Sequence, residues 1–156
     1  MVRMFLWLPV VAGMLFVSCS TMGDYNFTSV DESLNIGEYE AAYQVVNADS
    51  DKIYSSHDEV LQSLDLGILS HYAGEYQRSN QELTQAERKI EEYYAKSITQ
   101  SISSYLVNDT IVDYDGEVFE DIYINIFMAL NYIHLGNLED AFVEIRRFDN
   151  KLKAAS

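Results

Sequence analysis

The chain contains few residues that break helices or form covalent cross-links. Its only proline is Pro9, its only cysteine is Cys19, and it has seven glycines in 156 residues. A single cysteine excludes an intramolecular disulfide, and a chain without proline after position 9 lacks the strongest helix breaker. We therefore expect one mostly helical domain, with a core packed by abundant aromatic side chains, including twelve tyrosines.

Basic residues are also scarce. Ten Lys and Arg stand against 25 Asp and Glu, which gives a formal net charge of −15. A surface with this balance repels polyanions, so the composition argues against nucleic acid or an anionic membrane surface as the partner.

Motifs of known catalytic or metal-binding chemistry are absent. The sequence contains no GxSxG, GxGxxG, Walker A or HExxH pattern. The acidic segment 109–121 does not fit an EF-hand loop, because Ile111 and Ile122 fall where oxygen ligands are required. We expect its carboxylates to cap the next helix instead. We predict no enzyme activity, no metal site and no cofactor.

The first 19 residues have the layout of a bacterial secretory signal. Arg3 precedes an apolar run of about 14 residues (4–17), shorter than the roughly 20 that span a bilayer as a helix. The run ends in FVSC at 16–19, which resembles the lipobox of bacterial lipoproteins, although Phe16 replaces the usual aliphatic residue. The resemblance implies that Cys19 carries lipid, including palmitate. The alternative is a plain secretory signal with an incidental cysteine.

These features divide the chain into three parts. We predict a lipoprotein signal peptide at 1–18, a lipidated cysteine with a flexible tether at 19–31, and a helical domain at 32–156. Acyl chains, at roughly 0.8 kcal/mol per buried methylene, would anchor the protein to a membrane. Ser20 follows the cysteine, which in the sorting pattern of many two-membrane bacteria favours the outer membrane. We expect the domain to face the periplasm.

The segment from Phe119 to Leu152 contains two helical patterns separated by Gly136. Apolar residues recur every three or four positions on both sides of the glycine. They are Ile122, Ile126, Ala129 and Ile133 before it, and Leu138, Ala141, Phe142, Ile145 and Phe148 after it. This pattern predicts two antiparallel helices joined by a tight turn. The order of small and large residues resembles a tetratricopeptide repeat.

Two earlier glycines mark similar turns. Gly37 and Gly74 are 37 residues apart, close to the roughly 34-residue tetratricopeptide period, and Gly136 follows Gly74 after 62 residues. We expect the additional length to be a loop and a long second helix of about 30 residues that runs to Leu106. We therefore predict an all-α array of antiparallel helix hairpins, an α-solenoid of about two and a half tetratricopeptide-like repeats.

The first helix of each repeat is expected to form a binding face. Its apolar, tyrosine-edged groove would contain no Lys or Arg, unlike faces that clamp a carboxylate. The candidate residues are Leu64, Ile68, His71, Tyr72, Tyr123, Ile126, Leu130, Ile133 and His134. Such a groove suits a partner helix, an extended apolar segment or a small apolar ligand. An equally weighted alternative is that another helix of the same protein fills it.

Two adjacent arginines stand out in so acidic a chain. Arg146 and Arg147 follow Glu144, and we expect this group to make structural ion pairs, with one arginine orienting the acidic loop upstream. His71 and His134 occupy nearly equivalent places in two repeats and could lie near each other on one face; the favoured alternative is two partly exposed histidines at helix ends.

Taken together, the chain resembles a family of bacterial tetratricopeptide-like envelope lipoproteins. The resemblance is carried by Cys19, Leu66-Gly67, Gly74-Glu75-Tyr76, Ser79, Ala86-Glu87, Asn108-Asp109, Tyr114, Gly116, Phe119-Glu120, Ala129-Leu130-Asn131-Tyr132, Val143-Glu144 and Arg146-Arg147. It implies an envelope location and a scaffold role, with no catalytic residues. Members of the family continue well beyond the arginine pair, which implies a truncated or shortened member and makes 32–156 the N-terminal part of a longer architecture.

The sequence therefore favours a scaffold that binds another envelope protein. Such a protein could help assemble or regulate an envelope machine, for example a secretion system or a cell-wall synthase. The alternative is a solute-binding accessory lipoprotein of a transporter, with a small apolar solute in the groove.

Overall fold

The computed structural model describes residues 25–101 and 114–156, with side chains described up to residue 96 in the first range. All secondary structure in these ranges is helical, which confirms the predicted class. The helices are α1 (Thr28–Asn35), α2 (Tyr39–Ala48), the single turn α3 (Ser50–Ile53), α4 (Glu59–Tyr72), α5 (Tyr76–Ser101), α6 (Val118–His134) and α7 (Leu138–Ala154). Cys19, the signal peptide and Asn108-Asp109 lie outside the described residues.

Three glycines turn the chain in the same way. Gly37, Gly74 and Gly136 have φ of 79°, 81° and 74°, the left-handed region that glycine adopts without steric cost. In each turn the N–H after the glycine donates to the carbonyl five residues earlier: Glu38 to Ser33 (2.9 Å), Glu75 to Ser70 (2.9 Å) and Asn137 to Tyr132 (2.8 Å). This is the Schellman motif. The three predicted turns are confirmed, and all three have the same hydrogen-bond geometry.

The middle hairpin, α4 and α5, is closely packed at small residues. A Cβ on Gly67 would lie only 2.7 Å from Cδ2 of Leu83, so a larger residue at this position would separate the helices. The hydroxyl of Ser79 is buried and donates to the carbonyl of Gly67 at 2.8 Å. Gly67 is therefore a point of close approach between α4 and α5.

The helix α6 packs against both helices of the middle hairpin. It runs parallel to α4 and antiparallel to α5, and its Ile124 and Met128 complete a core with Leu64, Leu83 and Ala86. A second core joins α1, α2 and α4 around Ala42, Val46 and Leu69. The predicted long second helix is α5, described to Ser101; the further residues predicted to extend it lie outside the described ranges.

The structure adds three local details to the sequence analysis. The predicted tether at 19–31 is too long, because α1 begins at Thr28. Asp58 directly precedes α4, and its carboxylate accepts hydrogen bonds from the N–H and hydroxyl of Ser55 and none from the helix. The predicted apolar stripes of the last hairpin are only partly buried. Ala129 and Ala141 are buried, whereas Ile133, Leu138, Phe142 and Ile145 are exposed, because α6 turns Ile124 and Met128 toward the core.

The helix α6 begins with the capping arrangement expected of its acidic residues. The side chains and backbones of Glu117 and Glu120 form a reciprocal capping box, which satisfies N–H groups of the first turn. Gly116, with φ of 81°, lies directly before it, and Ile90 would be 3.1 Å from a Cβ there. The segment before α6 is thus held close against α5.

Candidate functional site

An open groove of about 380 Å³ lies between the parallel helices α4 and α6. Aromatic and aliphatic side chains form most of its surface. Its apolar lining residues are Leu61, Leu64, Ile68, Leu83, Phe119, Tyr123, Ile124 and Phe127. The spacing of three and four residues along both helices places one side chain per turn on each wall. The groove can therefore accept a row of apolar groups along its length.

Two carboxylates, Asp65 and Glu120, interrupt this apolar surface. Asp65 accepts a hydrogen bond from the Tyr54 hydroxyl at 2.7 Å. Burial raises the pKa of Asp65 and the charge of Glu120 raises it further, while the Tyr54 hydrogen bond lowers it. The carboxylate of Glu120 accepts from Tyr114 and from the Glu117 N–H. Both acids are thus held in position beside apolar side chains, where a cation would stabilise their ionised forms.

The nine predicted groove residues separate into three groups. Leu64, Ile68 and Tyr123 line the groove. His71 and Tyr72 lie just beyond it, with ring centroids 5.0 Å and 6.3 Å from that of Phe127. Ile126, Leu130, Ile133 and His134 do not line it. Sequence reasoning missed Asp65, Phe119 and Phe127, although Asp65 interrupts the apolar pattern of α4 and could have been noticed there.

A hydrogen-bonded cluster closes the end of the groove. The Asn131 amide nitrogen donates to Ser79 Oγ and Asn80 Oδ1, both at 2.8 Å, so its oxygen is the acceptor for His71 Nδ1 at 2.6 Å. The His71 and His134 ring centroids are 6.4 Å apart, so the two histidines lie near each other, which was the less favoured of the two interpretations of the sequence. His134 stacks on Tyr76 at 4.4 Å. These contacts join α4, α5 and α6.

A second polar cluster lies between α5, α6 and α7. Glu87 is only 5% exposed, and its carboxylate pairs with Arg147 at 2.8 Å and Lys151 at 2.7 Å. Asn125 is fully buried and donates to Glu144 at 2.7 Å. Burial opposes ionisation of the Glu87 carboxyl, but the hydrogen bond from Lys151 and the positive charges of Lys151 and Arg147 favour ionisation more strongly. They hold the pKa of this carboxyl below its ordinary value.

The arginine pair makes part of the expected ion pairing, because Arg147 pairs with Glu144, but neither arginine is seen to hold the described end of the acidic segment. Arg147 pairs with Glu87 and, at 3.4 Å, with Glu144, whereas Arg146 is exposed and donates to the Phe142 carbonyl of its own helix. The described end of the acidic segment is held by Lys151, which pairs with Asp121 at 2.6 Å. Lys151 lies one turn beyond Arg147, where α7 passes the start of α6. Glu87 lies at helical spacing from the core residues Leu83 and Ile90, and this position was the available signal for the cluster.

No family model, curated protein or solved structure matches this chain. Its function is therefore inferred from its own residues. Within 25–101 and 114–156, no cluster of three or more side chains suited to a metal ion is found. No helix in those ranges combines the length and apolar character needed to cross a bilayer.

Proposed function

We propose that this chain is a lipid-anchored, tetratricopeptide-like scaffold of the bacterial cell envelope that binds a segment of another protein in the groove between α4 and α6. The observation that carries the proposal is the open apolar groove with Asp65 and Glu120 on its walls. Lipid on Cys19 would hold the domain at a membrane, with an outer-membrane location facing the periplasm.

The tetratricopeptide-like interpretation is supported by equivalent positions in the hairpins. Ala42, Ser79 and Ala141 lie at the same distance from their turns, and all three are buried. Small residues at this position let paired helices approach closely, as in helical repeat proteins. The helix α1, with 8 residues against 14 in α4, fits the predicted incomplete first repeat.

The groove indicates the chemistry of the partner segment. Apolar side chains would fill the space beside Leu61, Ile68 and Phe127, and a Lys or Arg would lie near Asp65 and Glu120. A carboxylate clamp uses cationic side chains to bind an anion; here the charges of the site are reversed. The expected ligand is a short extended or helical segment that combines apolar residues with a basic one.

Openness favours a protein segment over a small solute. Phe119 and Tyr123 are 56% and 53% exposed, so their rings form walls accessible to a long partner. Sites for small solutes usually bury most of the ligand surface. The solute-binding accessory of a transporter therefore remains the second candidate.

Crosslinking and affinity capture from solubilised envelope, with two matched variants on α6, would test the proposal. Tyr123→Glu places a third acid in the groove, whereas Val118→Glu changes an apolar residue that is also more than half exposed but does not line the groove. We expect a protein partner to be captured by wild type and by Val118→Glu and lost with Tyr123→Glu. A small molecule captured without any protein would instead support the solute-binding alternative.

A further inference from the structure

The aromatic wall of the groove continues onto α2. On α6, Phe119, Tyr123 and Phe127 are spaced four residues apart, and the ring centroids of Phe119 and Tyr123 are 6.4 Å apart. The Phe127 ring lies 6.3 Å from that of Tyr72 on α4, and the Tyr72 ring lies 5.3 Å from that of Tyr39 on α2. We call these five rings the aromatic row. The apolar surface of the groove therefore extends across three helices.

The rings of the aromatic row are accessible to a ligand. Phe119, Tyr123 and Tyr72 are between 53% and 56% exposed, and Tyr39 and Phe127 are partly exposed. Each ring presents a flat apolar face, and the tyrosines also carry a hydroxyl that can donate a hydrogen bond. Aromatic side chains of this kind are enriched where proteins bind other chains.

The groove offers few hydrogen-bond partners to the backbone of an ordinary extended peptide. Its walls are α-helices, whose N–H and C=O groups are bonded within each helix, so they present no strand edge. The described lining residues include no Asn or Gln, whose amide can pair with an N–H and a C=O together. An N–H that faces this lining would lose its bond to water without replacement. A segment that avoids this loss either forms its own hydrogen bonds, as a helix does, or lacks N–H groups, as proline does.

The size of the groove favours a proline-rich segment over a helix. One turn of an α-helix with side chains, about 10 Å wide and 5.4 Å long, occupies roughly 420 Å³. The whole groove measures about 380 Å³, so a helix would not reach its floor. A polyproline II segment has no internal hydrogen bonds to keep, and its proline rings pack against aromatic faces in grooves of other proteins.

The charge of the groove adds a second requirement. Asp65 and Glu120 are held among the apolar side chains by hydrogen bonds from Tyr54 and Tyr114, so the complementary residue is Lys or Arg. The chain's own only proline is Pro9, so a second copy does not supply a proline-rich segment. The occupant that meets these conditions is a segment of another protein.

We propose that the groove and the aromatic row bind a proline-rich segment of another protein, in the polyproline II conformation, with a Lys or Arg beside Asp65 and Glu120. This inference rests on the proposed function of the groove and names the class of segment bound. Proline rings pack on Phe127, Tyr72 and Tyr39, and the tyrosine hydroxyls donate to carbonyls of the segment. The row is at most roughly 24 Å long, which about eight residues span at 3.1 Å each.

Three peptides of about eight residues provide the probe. The first contains prolines and one Arg, the second has Ala in place of each proline, and the third has Glu in place of the Arg. Fluorescence anisotropy with the full chain should show binding of the first and at least about tenfold weaker binding of the other two. Tyr72→Ala and Tyr39→Ala should each weaken the first peptide by about tenfold, because an aromatic contact is lost. Tyr94→Ala, which removes an exposed tyrosine of α5 outside the row, should leave its affinity unchanged.

Tyr123→Glu and a helical peptide of Leu and Lys separate this inference from the proposed function. If the helical or the Ala peptide bound as tightly as the first peptide and was lost with Tyr123→Glu, the groove function would stand and selection of proline would be overturned. No binding of the first peptide, or binding that neither Tyr72→Ala nor Tyr39→Ala weakens, would also overturn it. Peptide binding unchanged in Tyr123→Glu would contradict both proposals. Circular dichroism should report unchanged helix content in every variant, because the substituted rings are exposed or partly exposed.

Discussion

Buried polar side chains determine how the helices of this protein meet. Asn131 uses both ends of its amide to join His71, Ser79 and Asn80 from two other helices. Glu87 does the same with charge, through Arg147 and Lys151. Burying a polar group destabilises the folded protein unless its hydrogen-bond partners are present. Each cluster therefore favours one arrangement of α6 against α5. Apolar contacts alone would allow more alternatives.

The Glu87 cluster leads to a stability prediction at the residue scale. Glu87→Gln should lower the free energy of unfolding by about 2 kcal/mol, less than for a fully buried pair because Arg147 is partly exposed. An exposed ion pair provides the control: Asp149→Asn, which breaks the pair with Lys153, should change stability by less than about 0.5 kcal/mol. Urea unfolding at neutral pH measures both. Equal effects would show that burial of Glu87 is unimportant.

The same carboxylate determines part of the acid sensitivity. Its pKa is lower in the folded protein than in the unfolded chain, where it is about 4.3. The stability it contributes is therefore fully present above that unfolded value and is lost as pH falls through the folded pKa. The difference between wild type and Glu87→Gln should stay constant from about pH 7 to 5 and shrink below about pH 4.

At the scale of elements, the groove results from two parallel helices in successive hairpins. The helix α5 lies beneath them and supplies Leu83 to the floor, so α4 and α6 form walls without closing over the space. Asp65 lies on one wall and Glu120 on the other, and the two residues are 55 positions apart in the sequence. Each carboxylate also accepts a hydrogen bond from a tyrosine hydroxyl, which fixes its position before any partner binds.

Asp65 should reduce stability while improving binding. Burial raises the pKa of Asp65 in the folded protein above its unfolded value, so the ionised side chain destabilises the fold. The stability that the protonated side chain contributes is therefore lost as pH rises through the folded pKa. Asp65→Asn should therefore stabilise the protein at pH 7 in urea unfolding, with no gain below about pH 3.9. A bound Lys or Arg would lower this pKa, so the same variant should bind a basic apolar peptide less tightly at pH 7.

Asp58 offers a control of opposite sign. Hydrogen bonds from Ser55 lower the pKa of Asp58, so Asp58→Asn should destabilise the protein at neutral pH and leave peptide binding unchanged. If Asp65→Asn instead destabilised the protein and bound peptide normally, Asp65 would have a structural role, and the groove would not select basic segments.

At the scale of the whole molecule, strong negative charge is combined with an open apolar groove between α4 and α6. The formal net charge is −15, and the two carboxylates of the groove, Asp65 and Glu120, lie among apolar side chains. Such a surface repels polyanions and is complementary to partners that are both apolar and basic.

The proposed membrane anchor is tested at this scale. Cys19→Ser should move the protein from the membrane fraction to the soluble fraction of cells, because the acyl chains would have no attachment site. Ser20→Ala, a change at the next residue, should leave it in the membrane fraction. Membrane association that persists in Cys19→Ser would show that lipid on this residue is not the anchor.

Local features of this fold were readable from the sequence, and pairings between distant residues were not. Gly37, Gly74 and Gly136 require a left-handed backbone wherever they lie, and helical periodicity is a property of neighbouring residues. Both therefore appear in the sequence itself. The sequence did not decide which side of the last hairpin is buried, because α6 and α7 have apolar residues on two sides, and only packing against α5 selects Ile124 over Ile133.

The candidate site shows the same division. The sequence alone determined the helical class, the turns and the presence of an apolar first-helix face. The tertiary structure decided which of those residues form the groove, and it placed Asp65 and Glu120 on its walls. It also paired Asp121 of the acidic segment with Lys151, whereas an arginine was expected to orient that segment. The physical reason is that burial and ion pairing depend on distances between helices, and those distances are set by the small residue Gly67 and by the buried clusters around Glu87 and Asn131.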